Sequence, residues 1–169
     1  LPSKSLVASA PRMAEEMGLF AKQGLKPKFT YIDSTAATAA ALLSKSVEFS
    51  TTGISEVLVA TARNQPLVVI ASNYNGLAGS LVLAKPVAER LGVKADAPLP
   101  QRLKALDNVL LASTSKVSSF TIAYKGAANA NGAEPRFSYM AVGAMGAAIE
   151  SGAVEGAIVT APFWALQVL

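Results

Sequence analysis

The sequence predicts an α/β fold with mainly parallel strands, built as two similar lobes. Three observations carry that prediction. Short β-rich segments alternate with helix-periodic ones along the whole chain. Apolar residues make up 51% of the 169 positions and charged residues only 15%, which suits a folded domain and not a disordered chain. One nine-residue pattern occurs twice: AALLSKSVE at 40–48 aligns with AAIESGAVE at 147–155. Chance in an Ala-rich chain is the plain alternative for that repeat; one αβ unit per lobe is the structured one.

The elements follow in order. Residues 11–20 read as a helix, with Pro11 in the first turn and Met13, Ala14, Met17 and Phe20 at helical spacing. Residues 28–33 (KFTYID) alternate and read as a strand. Ser34 and Thr35 then start an Ala-rich helix to about residue 43. Residues 47–51 read as a short strand, 54–63 as a helix and 67–71 as a buried strand. A polar, Gly-containing stretch at 73–79 separates the two repeat copies, where a hinge would fall. Strands are expected at 80–84, 109–112, 136–142 and 157–160, and helices at 86–91, 100–106, 118–131 and 144–150.

Composition excludes several chemistries. The chain has no His and no Cys, so His bases, Cys nucleophiles, zinc fingers and disulfides are absent. Asp and Glu total 11, which leaves little carboxylate chemistry. The net charge is +4, but the 15 basic residues are scattered and no two adjoin, unlike the basic stripe of a nucleic-acid binder. The most apolar stretch, 67–84, is broken by Ser72-Asn73-Tyr74-Asn75-Gly76, so it is no membrane span. No secretory leader is visible.

Polar work therefore falls to Ser, Thr, Asn, Tyr and backbone amides, groups that bind more readily than they react. In open α/β sheets, ligands sit beyond the C-terminal ends of strands and face helix N-termini. Three such ends carry hydroxyls: Ser34-Thr35, Thr51-Thr52-Gly53, and Ser113-Thr114-Ser115 with Ser118 and Ser119. Free helix N–H groups and the macrodipole favour an anion there. The same hydroxyls also suit ordinary N-caps. Lys116 reads either as an anion partner or as a solvated loop lysine, and Phe163 and Trp164 either as an apolar wall or as core.

The motif AEEMGLFAKQGL at 14–25 resembles the opening of bacterial ABC-transporter substrate-binding proteins, in the nitrate/sulfonate/taurine-binding group. ALLSKSVEF at 41–49 and AIESGAVEGA at 148–157, followed by APF at 161–163, resemble two later motifs of the same group. The chain departs from them at Lys45, where the group has Gly, and at Glu48 and Glu155, where it has Asp. The resemblance implies a type II periplasmic-binding-protein-like fold of two lobes with a ligand cleft between them. It places lobe one at 1–76, a hinge crossing at 77–79, lobe two at 80–160 and a second crossing at 161–169. Family members are longer, so it also implies a chain incomplete at both ends. It adds Ser3 and Ser5, on the first cleft loop, and Tyr74, at the hinge, to the ligand-binding set.

The function implied is a monomeric, periplasmic solute receptor, or a lipid-anchored extracellular one in a Gram-positive host. It would bind a small anionic ligand such as a sulfonate, nitrate or carboxylate, deliver it to a membrane permease, and need no metal or cofactor. An enzyme or thiamine-precursor-binding protein on the same fold is the alternative. The related pyrimidine synthases consume a histidine, and this chain has none. A transcription regulator's sensing half would need a helical DNA-binding module, and none is visible.

Overall fold

The computed structural model describes residues 8–32, 35–163 and 165. The first part of the chain is helical: α1 (Ser9–Glu16), α2 (Leu19–Lys22), α3 (Thr35–Leu43) and α4 (Ile54–Ala62). The single helix expected over 11–20 is split because Gly18 takes a left-handed conformation (φ 66°) between α1 and α2. Phe20 of α2 meets Phe29 edge-on at 6.3 Å and holds the following segment.

From residue 79 the α/β alternation is regular. The order is β1 (Gly79–Leu83), α5 (Lys85–Leu91), α6 (Leu99–Lys104), β2 (Leu110–Ser113), α7 (Ser119–Ala130), β3 (Arg136–Tyr139), α8 (Val142–Glu150) and β4 (Gly156–Thr160). The strands form one sheet in the order β1-β4-β2-β3. β2 pairs parallel with both β3 and β4, while β1 closes the other side antiparallel to β4. Helices α7 and α8 supply the crossovers that parallel strands require. β3 ends at Tyr139, short of the expected 142, because Val142 already opens α8.

The core lies under this sheet. Ala112, Met145, Val154, Ala157 and Val159 form its buried cluster, with Val82, Leu110, Ile149 and Phe163 packed against it. β4 is buried along Gly156, Ala157, Ile158 and Val159, which explains its unbroken small and apolar run. Glu155 ties three elements at the start of β4. Its carboxylate accepts a hydrogen bond from the Leu110 backbone N–H (2.7 Å) and pairs with Arg90 of α5. Its carbonyl accepts one from the Ala84 N–H (3.0 Å).

The three strands expected at 28–33, 47–51 and 67–71 are not formed: the described residues there belong to no helix or strand. The reason is pairing. Their residues have β propensity, but no described neighbour offers a ladder, and a strand exists only as part of one. Val68 and Ile70 are accordingly 83% and 75% exposed, against the buried position expected of them.

The repeat is real at the level of local structure. In the first copy the N–H of Ser44 donates to the carbonyl of Ala40, Lys45 to Leu42 and Val47 to Ala41. In the second, Ser151 donates to Ala147, Gly152 to Ile149 and Val154 to Ala148, the same three bonds at equivalent positions. The hydroxyls of Ser44 and Ser151 also donate to equivalent carbonyls, those of Ala41 and Ala148. Lys45 (φ 59°) and Gly152 (φ 72°) share the left-handed turn residue that ends each helix. Only the second copy leads into a described strand, β4.

Candidate functional site

Helices α4 and α7 pack together, and their N-termini meet. The N-cap of α4 is Gly53, which has no side chain to satisfy the free N–H groups of the first turn. Ser119 of α7 supplies the missing acceptor from across the fold: the Ser55 N–H donates to its Oγ at 3.4 Å. Ser118 is the N-cap of α7 and is buried, yet its side chain makes no capping bond. Two helix ends thus face one point with few of their N–H groups used by side chains. Each end is equivalent to roughly half a positive charge.

The turn before α4 adds hydroxyls. The Oγ1 atoms of Thr51 and Thr52 are buried and have no hydrogen-bond partner among the described residues. A buried hydroxyl left unmatched costs about 1–3 kcal/mol. Gly53 lies tight against two side chains, which a Cβ would force to shift. A Cβ on it would lie 2.5 Å from Glu56 Oε2 and 2.7 Å from Ser119 Oγ. Glu56, in the first turn of α4, is 5% exposed. Its charge also reaches the Tyr74 hydroxyl, whose pKa is raised first by burial and then by Glu56.

The expected site residues divide. Thr52, Gly53, Ser118 and Tyr74 fall on or beside this junction. Ser113 is buried and its hydroxyl is committed within the fold, 2.6 Å from Thr121 Oγ1. The Thr121 hydroxyl in turn bonds the Ser115 carbonyl at 2.8 Å, so this pair shapes the loop from beneath. Thr114 and Ser115 lie half-buried on that loop, and Lys116 is exposed. Phe163 packs on the core cluster. Thr35 is the first residue of α3, while Ser3, Ser5, Ser34 and Trp164 lie outside the described residues. Sequence reasoning missed Glu56 altogether. Its signal was present: it stands three residues after the N-cap Gly53, the place of a capping-box glutamate, as the one charged residue of a mostly apolar helix.

Comparison with known proteins then settles the family: residues 5–169 match the NMT1-like family. The chain belongs to it. Its fold recurs in solved structures. One is a ligand-binding component of an ABC-type import system from Staphylococcus aureus, with zinc bound. It shares 15% identity and a TM-score of 0.65 over 85% of this chain and 47% of its own. The periplasmic aliphatic sulphonate-binding protein SsuA from Escherichia coli matches at 17% identity and TM-score 0.57, over 92% and 52% of the two chains. A protein from Bordetella bronchiseptica RB50 matches at 16% identity and TM-score 0.68, over 97% and 50%. The NMT1-like chain therefore has the α/β fold of periplasmic binding proteins and spans about half the length of these structures. A search of curated proteins finds no match to it.

Zinc is not carried over from the staphylococcal protein. The NMT1-like chain has no His or Cys, and its described residues hold no group of three or more acidic side chains that could bind a metal. No helix among the described residues is long and apolar enough to cross a membrane.

Proposed function

We propose that the NMT1-like chain is part of the solute-binding component of an ABC importer and binds without catalysing. The ligand is a small molecule with an anionic group, of sulfonate, nitrate or carboxylate type. It sits where the α4 and α7 N-termini meet. The observation that carries this reading is the pair of buried, unmatched hydroxyls of Thr51 and Thr52 beside two helix ends whose caps leave N–H groups free. Hydrogen bonds to an oxyanion contribute about 1.5–3 kcal/mol each, so a few suffice for micromolar binding. Family membership and the import-system names of the structural neighbours support the same reading.

In this account residues 1–76 belong to one lobe and 80–160 to the other, with crossings at 77–79 and 161–169. The site draws on both, through 51–56 and 118–119. The receptor acts as a monomer outside the cytoplasmic membrane and hands its solute to the importer's permease. A thermal-shift screen with sulfonates, nitrate, bicarbonate and carboxylates tests the reading. A solute at a hundred times its Kd stabilises the folded state by about 2.7 kcal/mol. A melting temperature unmoved by every member, or turnover of any of them, contradicts it.

A further inference from the structure

The dipeptide Asn-Gly occurs twice in the sequence, at 75–76 and at 131–132. In such a pair the asparagine side chain is open to attack by the backbone that follows it. The next nitrogen reaches the side-chain carbonyl carbon unhindered, because glycine has no Cβ. The fold treats the two pairs differently.

At 131–132 both reacting groups are engaged. The Asn131 side-chain amide donates to the Ala127 carbonyl at 2.8 Å, and the Gly132 N–H donates to the Asn129 carbonyl at 3.1 Å. Asn131 is also the half-buried C-cap of α7. At 75–76 neither group has a hydrogen-bond partner among the described residues. The chain is pinned as far as Tyr74, whose carbonyl accepts a hydrogen bond from the Ser72 hydroxyl at 2.9 Å. Beyond it Asn75 and Gly76 are exposed. Gly76 has φ 124°, a conformation that residues with side chains rarely adopt. The backbone thus keeps a glycine after Asn75.

We propose that Asn75 is a site of spontaneous covalent modification, converting to aspartate and isoaspartate in the folded chain. The Gly76 nitrogen gives its proton to solvent and bonds to Asn75 Cγ. The bond from Cγ to the side-chain nitrogen breaks, and that nitrogen takes up a proton and leaves as ammonia. Water then opens the cyclic imide. Addition at Cγ releases the Gly76 nitrogen from it and leaves aspartate. Addition at the Asn75 main-chain carbonyl breaks the other bond and leaves isoaspartate, with the chain running through Cβ and Cγ. Each conversion consumes one water and releases one ammonia.

The position gives the product its effect. Residues 72–79 carry no charged side chain. Conversion places a carboxylate among them, beside Tyr74, whose hydroxyl already feels the charge of Glu56. The isoaspartate form also lengthens the main chain by one carbon just before Gly79, which Phe120 and Tyr124 of α7 hold.

Peptide mapping by mass spectrometry tests this on the whole chain, kept in warm, mildly alkaline buffer and sampled over time. In the folded chain Asn75 is expected to convert about tenfold faster than Asn131 or better, since two hydrogen bonds hold the second pair and none the first. In strong urea the two rates are expected to become equal, because the fold alone separates them. Two acidic products of equal mass and different elution are expected from Asn75. Asn75→Gln, whose longer side chain disfavours the ring, is expected to suppress the change there and leave Asn131 as it was. Conversion of Asn131 that equals or exceeds that of Asn75 in the folded chain overturns the proposal. So does an Asn75 that stays an amide in buffer over the time in which it converts in urea.

Discussion

Lys45 holds the left-handed conformation (φ 59°) that Gly152 holds (φ 72°) at the equivalent point of the second repeat copy. Three backbone hydrogen bonds around the two positions are equivalent, and at the turn residue itself the difference is the Cβ. A left-handed non-glycine residue costs roughly 1–2 kcal/mol, and glycine gives back part of that in unfolded-state entropy. Lys45→Gly is expected to stabilise the chain by about 0.5–1 kcal/mol in urea melts. Glu155 makes the opposite kind of contribution. The Leu110 N–H, first, and the Arg90 guanidinium, second, hold its carboxyl below the usual carboxylate range. A depressed folded-state pKa gives stability that is full above the unfolded pKa and disappears as pH falls through the folded one. Glu155→Gln is therefore expected to be less stable than wild type at neutral pH, with the gap closing as pH falls through that acidic window. The Arg90 side chain is 60% exposed, so its pairing is screened and Arg90→Ala should cost less than Glu155→Gln. Urea melts from pH 7 to pH 3 check both.

The junction of β2 with α7 shows what a hydroxyl does when it is not at a ligand's disposal. Thr121 joins Ser113 on the strand to the Ser115 carbonyl on the loop. Thr121→Val keeps the volume and leaves Ser113 unmatched, which should lower stability by about 1–3 kcal/mol in a urea melt. The elements from 79 onward were legible in the sequence because each strand finds its partners within that stretch. KFTYI, VEFST and LVVIA carry the same propensity, but no described residue pairs with them, and propensity alone does not make a ladder. The candidate site was legible only in part. Thr52, Gly53 and Ser118 are visible as hydroxyl-rich or Gly turns before helices. The cap that Ser119 provides to α4 joins residues 64 positions apart, and no local pattern records it. Glu56 needed only the spacing from Gly53 to be noticed.

For the whole molecule, the sheet and its core lie within residues 79–160. The earlier helices reach that body through α4 against α7. Phe120 and Tyr124 of α7 fasten the start of β1 as well: the ring of one packs on Gly79, and the hydroxyl of the other donates to the Gly79 carbonyl at 3.1 Å. Helix α7 thus touches the sheet at β1 and also α4, so a solute held at its N-terminus would couple both. The central claim is that the α4–α7 junction is a solute site and not merely a packing contact. Thr52→Val decides between the two. The substitution keeps the shape and deletes a buried, unmatched hydroxyl. If the hydroxyl serves a ligand, the free chain should become more stable by about 1 kcal/mol or more while affinity for the tightest solute of the thermal-shift screen falls about tenfold. A variant that loses stability and binds that solute as tightly as wild type would contradict the account.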